Sequence, residues 1–511
     1  MTLNRSLIIA GGALLATPLA LAAPEFDFST NVAPESGDVA IFVGPDLALE
    51  SVSEKVDARV DGRVSAALES EAFDGAFGSV LTLRAMAPYD TVTVIGTGVE
   101  GLSARQLTDL GGHAAISNDG DGLTIVADGL STEVVGAGAY LAKGYGFGGY
   151  QFLKYKSFDE ETPAPTDYTV TITGTDRASK RTFETDLRFV LDGVTLARDL
   201  GTEPGNTLWP AKFVEHVSTA LDGTRNVRIS VLEADEIRER GMGALMGVGH
   251  GSIHDPRLLV VEYQGAARDD APIALVGKGI TFDTGGISIK PNNGMWYMKS
   301  DLSGAAAVAG AVLAAAKRGE EINVVGVMPL AENMPSQDAI RPGDVLRTMS
   351  GKTIEIMSTD AEGRLLLADA VYYAQQEFSP RLLVNIATLT GSAARAMGDD
   401  YGAIVTRELT LSLEMMEIGK VAGEDVWPLP LHPSHFDQIQ SLIADIKNTG
   451  GQPGASIGAA VVGTFVAEDL PWVHLDIAGV DWRDEPTPTA PVGHAGWGVR
   501  FMDELLRSES E

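Results

Sequence analysis

Two stretches of this 511-residue chain concentrate side chains able to do chemistry. Residues 276–301 read VGKGITFDTGGISIKPNNGMWYMKSD, and residues 358–370 read STDAEGRLLLADA. Each begins where an apolar run ends, and in open α/β sheets ligands gather at the carboxyl ends of strands. Lys278 follows a purely apolar run, so its ammonium starts near a dry interior. Asp283 lies in a glycine-rich loop, where backbone can approach a ligand closely. Asp301 directly precedes an Ala-rich helical stretch and, alone, reads as an ordinary N-cap. Asp360, Glu362 and Arg364 alternate, and on extended backbone alternate side chains project the same way. Taken singly, each residue has a structural explanation.

Taken together they imply metal chemistry. Four carboxylates converging at strand ends repel one another unless countered, and two divalent cations supply the missing positive charge. An oxygen-rich site suits Mg²⁺ and Mn²⁺, and Zn²⁺ also accepts carboxylates. Lys278 can join as a nitrogen ligand only when neutral, a state that burial and adjacent dications both favour. The chain has no cysteine, which excludes thiolate nucleophiles, thiolate metal sites and disulfides. His250 and His254 are four apart, but GHGSIHDP reads as a loop rather than a helical ligand pair.

Two other motifs are set aside. Gly96-Thr97-Gly98-Val99-Glu100-Gly101 follows a strand and matches a dinucleotide fingerprint. However, the helical pattern starts only near Ser103, and no acid ends the next strand at the required distance. Gly351-Lys352-Thr353 resembles the end of a phosphate-binding loop, yet the first glycine would fall on Leu346. That segment reads as a hairpin turn.

The elements that must position the site form an α/β chain of two domains. Hydrophobic residues make up 44% of the sequence and charged residues 21%, enough for large buried cores. Residues 1–22, with Arg5, an apolar stretch and Ala20-Leu21-Ala22, read as a secretory signal, so a product exported to the periplasm or beyond is expected. Residues 23–175 alternate short apolar runs with turns and helical patterns, a smaller N-terminal α/β domain. Residues 176–208 form a polar linker and a connecting helix over 183–200. Residues 209–511 form a larger α/β domain whose candidate strands lie at 227–233, 257–263, 272–277, 323–329, 353–357, 381–387 and 472–478. Several are apolar throughout, as in central strands covered by helices on both faces, so a mixed, largely parallel sheet is expected. Gly304 to Ala316 is too short to span a bilayer and reads as a buried helix. With 38 basic and 70 acidic residues the formal charge is −32. That field disfavours nucleic acid and anionic membranes.

At the acidic residues the sequence resembles the leucine (cytosol) aminopeptidase family. The family signature is Asn-Thr-Asp-Ala-Glu-Gly-Arg-Leu, and residues 358–365 read Ser-Thr-Asp-Ala-Glu-Gly-Arg-Leu. RDLGTEPGN (198–206), PLAENMPS (329–336), RPGDVL (341–346), ATLTG (387–391), DIKNTGG (445–451) and HLDIAG (474–479) also match, in family order. The N-terminal domain resembles the family only in general pattern. The resemblance implies a metallo-exopeptidase that removes first residues, leucine or other apolar ones, from peptides. It implies two ions, Mn or Zn, bridged by Asp283 and Glu362, with Lys278 and Asp301 completing one and Asp360 the other. It assigns Lys290 to the developing oxyanion and Arg364 to a bicarbonate that shuttles the proton. Met298 matches a residue lining the first side-chain pocket, and Leu389 and Gly391 match backbone contacts to substrate. A homohexamer is also implied. Ser358 and Asn385 depart from the family's usual asparagine and aspartate, which puts rate and metal preference in question. A non-catalytic peptide- or DNA-binding paralogue and a nucleotide-binding oxidoreductase are the competing readings.

Overall fold

The computed structural model describes residues 24–118, 122–159 and 164–510. The expected leader at 1–22 lies outside them. The fold is α/β in two parts, each with its own sheet and its own buried clusters. Among the described residues, the first sheet has six strands in the order Glu25–Phe28, Thr169–Thr173, Leu123–Val126, Gly37–Val43, Tyr89–Gly96 and Val80–Arg84. All its neighbours are parallel except the last pair.

The second sheet carries the site. Its order is Val426–Pro428, Gly402–Thr406, Trp472–Asp476, Leu382–Ala387, Ile273–Gly277, Asn323–Asn333, Arg257–Gln264 and Val227–Leu232. The four central strands, from Trp472–Asp476 to Asn323–Asn333, are mutually parallel. Antiparallel pairings flank them on both sides. The short strand Gly279–Asp283 pairs parallel with the far half of Asn323–Asn333. These central strands are apolar runs without alternation because helices bury both faces. Expected runs and observed strands agree here to within a few residues. Gly279–Asp283 and Gly402–Thr406 were not anticipated: each is five residues long and bounded by residues that read as loop.

The helix Ser303–Arg318 is buried almost to its end, and its small side chains explain why. It packs against the connecting helix Arg188–Thr202 so closely that a Cβ added at Gly193 would lie 2.4 Å from the Gly310 carbonyl oxygen. Larger residues at this crossing would overpack it by about 1–3 kcal/mol. The connecting helix begins earlier than the pattern suggests, running from Ala178 through a π turn at Phe183–Leu187. On it, the fully buried Arg198 donates to the carbonyls of Phe147, Thr489 and Ala495, tying the two parts together. Among the described residues no helix is long and apolar enough to cross a membrane.

The two discounted motifs have structural work of their own. A Cβ at Gly96 would lie 2.2 Å from the Ala76 carbonyl oxygen and one at Gly98 2.5 Å from the Phe77 nitrogen, so these glycines admit a neighbouring loop. Gly351-Lys352 lies in the turn between the antiparallel strands Val345–Arg347 and Thr353–Glu355, and Thr353 opens the second strand.

Candidate metal centre

Lys278 leaves the strand Ile273–Gly277 at its carboxyl end and is buried. Its ammonium lies 2.8 Å from Asp301 Oδ1 and 2.9 Å from Glu362 Oε1, and donates to the Thr388 carbonyl at 2.9 Å. Asp283 ends the next strand and is buried too. Its Oδ1 accepts from Asn333 Nδ2 at 2.7 Å and from the Gly285 backbone at 2.8 Å, while Oδ2 lies 2.8 Å from Lys290 Nζ. Gly285 and Gly286 turn the chain back at φ +85° and +65°. A Cβ at Gly285 would lie 2.8 Å from Asp360 Oδ1, and one at Gly286 2.9 Å from both Asn333 Oδ1 and Thr359 Oγ1. Both the left-handed backbone and the close approach require glycine.

Asp301 does not cap the helix that follows it. Leu302 occupies the cap position and makes no side-chain cap. Asp301 Oδ1 instead turns to Lys278 and accepts from Thr388 Oγ1 at 2.6 Å. The expectation that Asp360, Glu362 and Arg364 alternate along extended backbone is also corrected. Residues 358–362 form a turn, and Gly363–Phe378 is a helix. The turn places the exposed Asp360 carboxylate 2.5 Å from Lys290 Nζ, while Glu362 points inward. Arg364, buried in the first helical turn, donates to the Asn448 carbonyl at 2.9 Å.

Ligand atoms of Asp283, Asp301 and Glu362 all lie within 4.8 Å of one another. Asp360 stands outside this trio and joins it through Lys290. Asp301 Oδ2 and Glu362 Oε2 are buried and have no hydrogen-bond partner. Two anionic oxygens left bare in a cluster of three buried acids fit a divalent cation better than any role in packing. Burial pushes Asp283 and Asp301 above the ordinary carboxylate range, and the partial desolvation of Asp360 at the cleft edge raises it too from its ordinary value. It also pulls Glu362 upward, but Lys278 and then Lys290 outweigh that, and Glu362 ends low. For Lys278 burial acts downward, and the charges of Asp301, Glu362 and Asp283 overcome it to hold the ammonium. Lys290 is likewise raised by Asp283, Glu362 and Asp301 against its burial.

These groups border a cleft of about 380 Å³ that Met298, Leu389 and Gly391 also line. The Leu389 and Thr390 amides donate to Asp476 Oδ1 at 3.0 and 3.3 Å, which fixes the backbone of this cleft wall. Arg364 is not on this cleft surface, although its Nε is buried without a partner. A Cβ at Gly458 would lie 3.0 Å from Leu389 Cδ2 and 3.5 Å from that nitrogen, so Gly458 keeps space open between them. His250 and His254 lie outside the cluster, and His254 stacks on Trp209. Asn333, Thr388, Asn448 and Asp476 orient the site but had received no role. All four end or directly follow strands, and Asn448 Oδ1 accepts from the Met357 amide at 2.8 Å.

A two-domain α/β chain with a lysine and a trio of buried carboxylates clustered at the ends of parallel central strands fits the class of metal-dependent hydrolases. Residues 195–502 match the catalytic domain of the cytosol aminopeptidase family and residues 39–158 its N-terminal domain, so the chain belongs to that family. The N-terminal likeness is therefore more than a general pattern. A probable cytosol aminopeptidase of Methylobacterium radiotolerans is 42% identical over 490 residues, 93% of this chain and 95% of its own. One from Chelativorans sp. is 40% identical over 498 residues, 96% and 99% of the two chains. The bottromycin maturation enzyme BotP in complex with Mn has a TM-score of 0.82 at 31% identity, covering 94% of this chain and 100% of that one. A mutant of tomato leucine aminopeptidase has a TM-score of 0.83 at 29% identity, with 95% and 97% covered. The expectation of export is overturned: these relatives are named for the cytosol, which points there and not to an exported product. A short apolar run with one early cation is a weak signal, since a buried or interfacial segment has the same composition.

Proposed function

We propose that the chain is a metal-dependent aminopeptidase of the leucyl type, removing the first residue of peptides. The observation that carries this is the buried trio of Asp283, Asp301 and Glu362 with two oxygens left bare. Asp283 and Glu362 would bridge two divalent ions, Mn or Zn, with Lys278 and Asp301 completing one and Asp360 the other. Bound there, such a pair polarises a peptide carbonyl and lowers the pKa of water. Nitrogen ligation needs Lys278 neutral, the reverse of the state the carboxylates alone favour, and the charge of two dications is what would tip it.

The chain's own groups do the rest. Lys290 is partly open to the cleft and stays charged, so it would stabilise the oxygen on which negative charge develops. Arg364, through its unpartnered Nε, would hold a bicarbonate that serves as proton acceptor. Met298 would bound the pocket for the first side chain, favouring leucine or another apolar residue, and Leu389 and Gly391 would present backbone to the peptide. We further propose a division at 23–175, 176–208 and 209–511, and a homohexameric assembly, which sedimentation showing a monomer would reject. The central reading is tested with a leucine anilide and added Mn²⁺ or Zn²⁺. Turnover that chelation abolishes is expected. Absence of turnover with either ion rejects it.

A further inference from the structure

The cleft beside the metal ligands contains one acid that the proposed ligand set does not use. Asp481 follows the strand Trp472–Asp476 by five residues, is only 5% exposed, and lines the cleft together with Met298, Ala394 and Ala478. Its Oδ2 accepts from Ser303 Oγ at 3.1 Å and Ser300 Oγ at 3.3 Å. Both donors are neutral. Among the described residues no lysine, arginine or histidine forms an ion pair with it, and no other residue donates to its Oδ1. Burial pushes this carboxyl up to about 7 against the pull of the two serines, its own backbone amide and the more distant charge of Lys278. A buried acid facing a cleft without a contacting cation is costly unless what enters the cleft supplies one.

The surroundings of Asp481 suit a long side chain with a charged tip. Met298, Ala394 and Ala478 offer apolar contact for methylenes. Tyr297 lines the cleft as well, and its ring packs with those of Trp296 and Trp482 at centroid distances of 5.7 and 6.2 Å, with Trp296 63% exposed. This aromatic cluster already takes a cation: Lys299 Nζ lies 5.8 Å from the Trp482 ring centroid. A leucine side chain would fill the apolar part and leave Asp481 uncompensated. A lysine or arginine would lay its stem on the same walls and bring a donor to the carboxylate.

We propose that Asp481 makes this cleft a subsite for a basic first residue, so that the peptides processed include those beginning with lysine or arginine. The proposal rests on the aminopeptidase reading and refines its substrate class.

The test uses the full chain loaded with Mn²⁺ and the anilides of leucine, norleucine and lysine, the last two differing by the terminal amine. The ratio of lysine to norleucine in kcat/KM should exceed one in the natural chain and fall by more than about 10-fold in Asp481→Asn. That variant retains one oxygen to accept from both serines, and Asp481→Ala should lower the ratio as well. Lysinamide should raise Tm more than norleucinamide, and the difference should vanish in both variants. A parallel fall for all three substrates assigns Asp481 to holding Ser300 and Ser303 only and overturns the proposal. Leucine turnover with an unmoved lysine ratio overturns it while leaving the aminopeptidase reading intact. No turnover of any anilide by the natural chain overturns both.

Discussion

Gly363 passes directly under Lys278: a Cβ added there would meet the lysine's Cε at 2.8 Å and its Nζ at 2.9 Å. The glycine of the signature thus makes room for the very amine that sits between Asp301 and Glu362. Gly363→Ala should displace that amine without disturbing the helix, since alanine favours it. Metal affinity should drop about 10- to 100-fold, as when a group supporting a metal ligand is lost. Isothermal titration with Mn²⁺ checks it, and unchanged affinity would show that Lys278 has no part in binding.

Glu362→Gln keeps shape while removing one of three clustered negative charges. Turnover should fall by at least about 100-fold, the scale of losing a group that holds a metal. Stability without added metal should fall, because buried Lys278 loses one of its two carboxylate partners and keeps only Asp301. Anilide kinetics and calorimetry measured together separate the two effects. A variant of full activity would mean that Glu362 does not bridge.

Metal itself should stabilise the fold. A dication that binds the folded cluster and not the unfolded chain adds about 2.7 kcal/mol at 100 times its Kd. Melting should therefore rise with Mn²⁺ concentration and return to its starting point on chelation. A flat response, with Asp283→Asn behaving like the natural chain, would argue against a site at this trio.

Asn385 predicts a pH effect. Its Nδ2 lies 2.7 Å from His474 Nδ1, and its Oδ1 accepts from Trp472 Nε1 at 2.8 Å. Burial, aided by the Arg364 charge, lowers the His474 pKa to about 3. Between pH 6.5 and 3 the unfolded ring therefore carries a proton that the folded ring refuses. Stability is lost as pH falls through that window. Asn385→Asp puts a carboxylate against the ring and should raise its pKa. The melting temperature of the variant should then fall less steeply between pH 6 and 4. Near neutrality, burying the new carboxylate should cost about 1–3 kcal/mol. Equal acid slopes, with His474 NMR shifts unmoved, would show that the two residues are not coupled.

Much of this site could be read along the chain. Lys278 and Asp283 sit at the ends of apolar runs, the signature 358–365 is contiguous, and the absence of cysteine and of a helical histidine pair leaves carboxylates to hold a metal. Local order was enough because strand ends and turns lie within a few residues of the side chains they place. The direction of Asp301 was not readable, for its competing partners Lys278 and Thr388 are 23 and 87 residues away. Nor was the turn at 358–362, which Asn448 stabilises from about 90 residues further on. Asp481 shows the limit best: in sequence it is one acid among seventy. Only the folded chain brings Ser300 and Ser303 to it across about 180 residues and buries it without an ion-pair partner among the described residues. Burial and long-range partners set the energy of a carboxylate, and neither is written in its neighbours along the chain.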